Sequence, residues 1–378
     1  MLKTEHKIFC SDARDMNHLD DQSIDLVITS PPYPMVEMWD EQFGSTDSRV
    51  KDYLEAADYH RAFETMHRVL DQVWKELHRV MRDGAFACIN IGDAVRTLNK
   101  RFQLYPNHAR VLNKFTELGF DALPLILWRK QTNAPNKFMG SGMLPAGAYV
   151  TLEHEYILIF RKGTKREFKT RTQKKSRMES SYFWEERNTW FSDLWDFKGI
   201  KQNTKNDSLR KRSAAYPFIL PFRLINMYSL SGDTVLDPFI GTGTTTLAAL
   251  AAGRNSVGYE LDSSLLQLLS ENLEQDISFL RKANCDRIKN HLEFINRCEE
   301  GNKELKHRNS FFGFPVMTLQ EKDMKLSFIE KVAEIEKGIF QASYYDDAYI
   351  KCIGPENLTA DSFDPERFIQ NALSFDSE

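Results

Sequence analysis

Two short apolar runs, far apart in the chain, each stop at a sharply punctuated turn. Ile24-Asp-Leu-Val-Ile-Thr29 breaks at Ser30-Pro31-Pro32-Tyr33-Pro34. Thr234-Val-Leu-Asp237 breaks at Pro238-Phe239-Ile240-Gly241-Thr242-Gly243, and an apolar stretch of helical character, Thr244–Ala252, follows. Proline fixes φ and cannot donate to a sheet ladder, so neither run continues past its turn. Glycine lets the backbone reverse tightly and approach another group closely. Strands that feed helices through such turns belong to open α/β sheets, whose ligands bind at the carboxyl ends of the strands.

The rest of the chain supplies the partners of those strands. From His60 to Met81, Phe63, Met66, Leu70, Val73, Leu77 and Val80 recur at helical spacing, and Asp83-Gly84 stops the pattern. Ala85–Ile91 reads as the next strand. Tyr105–Leu118 reads as a helix closed by Gly119. Leu123–Trp128 and Tyr156–Phe160 read as further strands, paired antiparallel. Ser256–Glu260 is another strand, and Leu261–Leu280 is helical. Beyond about Asn284 only helix-like patches are visible. Residues 321–378 carry 13 Asp/Glu against 6 Lys/Arg and contain no motif.

Charge is unevenly placed. The net is −4, yet residues 161–212 hold 16 Lys/Arg against 7 Asp/Glu, a local +9 that leaves −13 for the remainder. Tyr182, Phe183, Trp184, Trp190, Phe191 and Trp195 are interleaved with that charge. Basic residues mixed with aromatic ones predict contact with nucleic acid, with Lys165, Arg166, Lys174 and Lys175 as phosphate-binding candidates; a solvated face is the bland alternative. The five cysteines are scattered and form no Cys-x-x-Cys pair, so neither a zinc site nor a disulfide framework is indicated, and a reducing compartment fits. The first ten residues lack a long apolar stretch, and no apolar run is long enough to span a bilayer; a cytoplasmic protein without a membrane partner is expected.

The glycine turn after Asp237 suits an adenosine-containing ligand. Glu260 ends the following strand, where a carboxylate can accept hydrogen bonds from both ribose hydroxyls. No Gly-Lys-Ser/Thr follows, so a phosphate-cradling loop is not indicated.

Taken together and in this order, Thr29-Ser-Pro-Pro-Tyr33 and Asp237-Pro-Phe-Ile-Gly-Thr-Gly-Thr-Thr-Thr246 resemble the catalytic and S-adenosylmethionine-binding motifs of the amino-methylating DNA methyltransferases of the β group. The resemblance covers roughly residues 6–280. It implies a Rossmann-like methyltransferase sheet with circularly permuted motif order and an inserted DNA-recognition region. It assigns Asp237, Phe239, Gly241, Gly243 and Thr244 to the first cofactor motif and Glu260 to the second. It gives Asp12 the adenine amino group, and the Tyr216-Pro-Phe218 segment, with Phe218, the methionine half. It also matches Asn90-Ile-Gly-Asp93, Trp128-Arg-Lys130 and Glu153-His-Glu-Tyr-Ile157 to later family segments. The implied layout is a catalytic half (1–162), a basic target-recognition region (163–212), a cofactor half (213–283) and an extension of unknown role (284–378).

The chemistry accounts for the catalytic residues. An exocyclic amine on cytosine or adenine is a poor nucleophile, because its lone pair is delocalised into the ring. The Ser30 side chain and the Pro31 carbonyl can accept its two N–H groups and favour a pyramidal nitrogen; Pro32 stiffens the turn, and Tyr33 can stack on a base flipped from the duplex. Within the family, Ser-Pro-Pro-Tyr goes mostly with the cytosine 4-amino group, and adenine N6 is the alternative. A carbon-5 methyltransferase needs a cysteine after proline, and none is present. The expected protein is therefore an S-adenosylmethionine-dependent, metal-free enzyme acting on double-stranded DNA. It would be the modification member of a restriction–modification system with a cognate endonuclease, and a homodimer is compatible. A catalytically silent DNA-binding regulator, or an RNA or protein methyltransferase, are the competing classes.

Overall fold

The computed structural model describes residues 2–130, 139–199, 216–265, 269, 273 and 277–363. Ten strands form one sheet: β1 (Lys3–Cys10), β2 (Ile24–Thr29), β3 (Met81–Ile91), β4 (Phe120–Arg129), β5 (His154–Lys162), β6 (Leu194–Asp196), β7 (Thr234–Asp237), β8 (Asn255–Glu260), β9 (Ile329–Glu336) and β10 (Ile339–Tyr344). Their spatial order is β6-β4-β5-β3-β2-β7-β8-β1-β10-β9. The five central strands from β3 to β1 run parallel. Antiparallel β4–β5 and β9–β10 flank them, so the expected antiparallel pairing of residues 123–128 with 156–160 is present. The expected α/β class with permuted motif order is the one observed.

The helices are α1 (Asp40–Thr46), α2 (Arg49–Glu55), α3 (Tyr59–Val80), α4 (Asn107–Glu117), α5 (Arg171–Glu179), α6 (Trp184–Trp190), α7 (Ile219–Tyr228), α8 (Thr244–Ala252), α9 (Ile277–Glu300) and α10 (Asp347–Ile353). Helix α3 starts where the Asp58 side chain accepts the Arg61 amide, and its apolar stripe covers one face of the sheet. Helix α8 opens on three threonines and continues as small apolar residues, and it is mostly buried between left-handed glycines at both ends.

Side chains alternate across the sheet. Val27 and Ile89 join Trp74 and Phe160 on the α3 side. Leu26, Ile28 and Ile159 join Leu220 and Leu250 on the α7–α8 side. The carboxyl-terminal stretch is no appendage: β10 pairs with β1 and buries Phe340, Ala342 and Tyr344 against the second core.

The same stretch packs against part of the basic region. Within its described part, residues 163–199, the α5–α6 stretch packs on α9 and on residues 310–326, and Phe183 joins Phe311, Phe314 and Phe328 in a third core, whereas Trp195 of β6 joins the second. Arg287 pairs with Glu186, and the Trp184 amide donates to Glu321. Phe183, Trp190 and Trp195 are buried, because large aromatic rings gain more from a core than from water. The remainder of the basic run, 200–212, lies outside the described residues.

Candidate active site

The chain leaves β2 and β7 in opposite directions across the sheet. From β2 it reaches β3 on one side through α3; from β7 it reaches β8 on the other through α8. A crevice opens where neighbouring strands diverge in this way. Here it is a cavity of about 530 Å³, within the range of small-molecule sites. Ser30, Pro31, Pro32 and Tyr33 wall it after β2; Asp237, Phe239, Gly241 and Thr244 follow β7; Glu260 ends β8 and Asp12 follows β1. Ten of the twelve expected catalytic and cofactor residues thus meet in one place.

The Ser-Pro-Pro-Tyr turn is held firmly. Tyr33-Pro34-Met35-Val36 closes on a Val36 N–H to Tyr33 carbonyl bond of 3.1 Å, with Met35 at φ +65°. That left-handed conformation is unfavourable for methionine; burial of its side chain and the Met35 N–H, which donates to Met66 Sδ at 3.3 Å, hold it in place.

Asp237 is a structural centre. Its carboxylate accepts from Thr29 Oγ1 (2.6 Å), the Phe239 amide (3.0 Å), Tyr216 Oη (3.1 Å) and Thr245 Oγ1. Burial lifts its pKa above the usual carboxylate range against the pull of those donors. With these donors bound, it ties β2, β7, α8 and the Tyr216 segment together while also lining the crevice. Glu260 differs. It accepts from the Gly241 amide (3.0 Å) through one oxygen and from the Leu261 and Asp262 amides through the other, with burial raising its pKa. Asp12 is clamped by Arg14; burial pushes its pKa up, but the Arg14 hydrogen bonds and charge outweigh that and hold it low.

Two expected cofactor residues lie elsewhere. Phe218 is not in the cavity wall; its ring stacks on Phe222 and meets the edge of Phe279. Tyr216, two residues earlier, lines the cavity instead. Gly243 also faces away: a Cβ there would collide with Leu269 Cδ1. Its glycine is required by φ +84° and by that packing, whereas Gly241 (φ +53°) has open space before it.

The four basic candidates lie away from the crevice, near the amino ends of the strands. Arg166 pairs with Asp233 at 2.6 Å and lies 3.8 Å from Asp25, both at the amino ends of β7 and β2. Lys174 and Lys175 are exposed on α5. That helix is tied to the same end by Ser180 Oγ, which accepts from Ser231 N, and by the Glu179 carbonyl, which accepts from Lys325 N. Lys165 adjoins Arg166 and is exposed. The crevice is at the carboxyl ends, a strand length away. Compositional charge shows which residues meet water, not which end of a sheet they occupy.

Several side chains at the site carried little signal. Asn90 and Glu155 meet Tyr33; the sequence marks them only as parts of longer segments. Met38, Trp39, Gln42 and Ser45 cover the crevice from the α1 region, which has no motif. The buried Ser11 Oγ and Tyr259 Oη, both in the cavity wall, have no hydrogen-bond partner among the described residues. Buried polar groups are nearly always satisfied, so a polar ligand fits here.

An open α/β sheet with a crevice at the carboxyl ends of its strands, walled by a Ser-Pro-Pro-Tyr turn and a strand-end acid, is a ligand-binding α/β fold. Residues 24–271 match the family described as DNA methylase (N6_N4_Mtase), and the chain belongs to that family of DNA amino-methyltransferases. It is 49% identical over 347 residues, 91% of this chain and 96% of the relative, to the Type II methyltransferase M.MthZI of Methanothermobacter thermautotrophicus. It is 47% identical over 283 residues, 72% and 92% of the two chains, to the Type II methyltransferase M.MjaI of Methanocaldococcus jannaschii. Among solved structures it resembles a Thermus thermophilus protein described as a putative DNA modification methylase, in complex with S-adenosyl-L-methionine. That match has a TM-score of 0.56 and 30% identity, and covers 72% of this chain and 94% of that one. No metal-binding cluster of His, Cys, Asp or Glu occurs among the described residues, and no described helix is long and apolar enough to cross a membrane.

Proposed function

We propose that this DNA methylase transfers a methyl group from S-adenosylmethionine to the 4-amino group of cytosine in duplex DNA, as the modification enzyme of a restriction–modification system. The Type II names of its relatives support the biological setting. The base assignment rests on one residue, Ser30, which stands in the crevice wall where an aspartate would favour adenine.

The residues present suit the donor. Glu260 offers its remaining lone pairs to ribose hydroxyls, Asp12 takes the adenine amino group, and the unpartnered Ser11 and Tyr259 hydroxyls provide further polar contacts. The donor supplies an electrophilic methyl group on sulfonium sulfur. A flipped cytosine enters beside the Tyr33 ring. Ser30 Oγ and the Pro31 carbonyl accept its amine hydrogens, the nitrogen pyramidalises, an N–C bond forms as the S–C bond breaks to leave the neutral thioether, and the cationic amine then releases one proton to bulk water. Positioning carries this reaction more than base strength does. DNA meets the carboxyl face of the sheet, not the α5 surface.

Incubation with labelled S-adenosylmethionine and duplex DNA, followed by digestion and mass spectrometry, tests the reading. The expected product is N4-methylcytosine. Recovery of 6-methyladenine would overturn the base assignment and keep the mechanism; 5-methylcytosine would overturn both.

A further inference from the structure

Behind Ser30 lies a connected polar network that the transfer chemistry above does not use. Ser30 Oγ is 2.9 Å from Tyr33 Oη. Tyr33 Oη is 3.0 Å from Glu155 Oε2. Asn90 Nδ2 donates both to that carboxylate oxygen (2.7 Å) and to Tyr33 Oη (2.9 Å). Lys130 binds the other Glu155 oxygen. Three strands converge to build it, since Asn90 is on β3, Glu155 is on β5 and Lys130 directly follows β4.

Counting protons fixes the direction of the chain. Lys130 Nζ and Asn90 Nδ2 carry only donor hydrogens, so both Glu155 oxygens act as acceptors. The tyrosine hydroxyl has one proton, and the carboxylate is its strongest acceptor. That proton therefore goes to Glu155, as the geometry also requires. Tyr33 oxygen is left as an acceptor, so the bond to Ser30 is made by the serine proton. Ser30 Oγ then has no proton to offer to the crevice. It faces the incoming base with lone pairs only, as an amine N–H requires.

We propose that Glu155 is a positioning residue for the methyl transfer: acting through Tyr33, it orients the Ser30 hydroxyl so that its oxygen accepts from the target amine. Hydrogen bonds in series polarise one another, so the carboxylate also strengthens Ser30 as an acceptor. Gly92 belongs to the same device, because a Cβ there would meet Tyr33 Cε2 at 2.9 Å and push the ring off the relay. The inference rests on the proposed transfer to an exocyclic amine at Ser30.

A double-mutant cycle on the full chain tests it. Glu155→Gln keeps the shape but has only one acceptor oxygen for Lys130, Asn90 and Tyr33 together. Tyr33→Phe keeps the ring and removes the relay. Single-turnover rates, KM for duplex DNA and calorimetric affinity for S-adenosylmethionine are measured for wild type, both single variants and the double variant. Thermal unfolding confirms that each is folded. Each single variant should lose on the order of 10²-fold in rate, with KM and donor affinity within about threefold, and the double variant should be no slower than the slower single one. Multiplicative losses would show that Glu155 does not act through Tyr33. A loss confined to KM would make it a DNA-binding group and overturn the relay. An inactive wild type would overturn the transfer reading and the relay together, whereas an active wild type with multiplicative losses overturns the relay alone.

Discussion

At the scale of single residues, the site separates acids that hold the protein together from acids that face the crevice. Asp237 is committed to donors from β2, α8 and the Tyr216 segment. Asp237→Asn turns an amide N–H toward groups that are themselves donors, leaving at least one buried group unpaired. It should cost about 1–3 kcal/mol of stability, read as a lower urea midpoint at unchanged m-value. Glu260→Ala should act on the ligand. It removes charge-assisted bonds to two ribose hydroxyls, worth roughly 1.5–3 kcal/mol each at most, and frees the Gly241 amide. Calorimetry should show S-adenosylmethionine affinity reduced by one to several powers of ten; unchanged affinity in a folded variant would remove the ribose assignment. The sequence places both acids at strand ends. It does not distinguish them, because what decides is how many donors from distant segments reach each carboxylate.

At the scale of elements, the glycine turn does two jobs. Gly241 opens toward the cavity, and Gly243 starts α8 in a conformation that lets Leu269 pack against it. Gly243→Val should therefore lower thermal stability as well as donor binding, and pairing it with Leu269→Ala should recover part of the loss; full recovery is not expected, since φ +84° remains strained for valine. Helix α5 gives the opposite lesson. Its lysines are exposed but sit at the amino ends of the strands, bound through Ser231 and Lys325. Charge reversal of Lys174 and Lys175 together should leave the slope of log DNA affinity against log salt unchanged. Each phosphate contact contributes about 0.9 to that slope, so a drop of one to two would return α5 to the DNA interface.

At the scale of the whole molecule, two buried histidines join segments distant in sequence. His6 lies between Thr4 and Ser256, and His67 bonds Asn107. Burial drives both pKa values down to about 3 from 6.5. Between those values the unfolded chain binds protons that the native protein does not, so stability is intact above pH 6.5 and falls as pH drops through that window. Each histidine contributes about 1.4 kcal/mol per pH unit. His67→Gln retains a donor for Asn107 and should flatten the slope of unfolding free energy between about pH 6.5 and 5 by that amount. An unchanged slope would mean that His67 protonates in the native protein.

The sequence alone determined the architecture and the place of the crevice. Strand length, the proline and glycine stops and the helical stripe of Phe63 to Val80 are local, short-range facts, and they mark six of the ten sheet strands and the turns that follow β2 and β7, but not β1, β6, β9 or β10. Ser30, Tyr33, Gly241 and Glu260 were legible because the chemistry needs those residue types immediately after strands. Tertiary structure decided what depends on distance across the fold. It set β9–β10 against β1, sent Phe183 and Trp195 into cores, joined Arg166 to Asp233, and brought Glu155 to Tyr33 from another strand. A basic or aromatic side chain has the same composition whether it meets DNA, water or a core. Only the packing of the elements around it settles which environment has the lowest free energy.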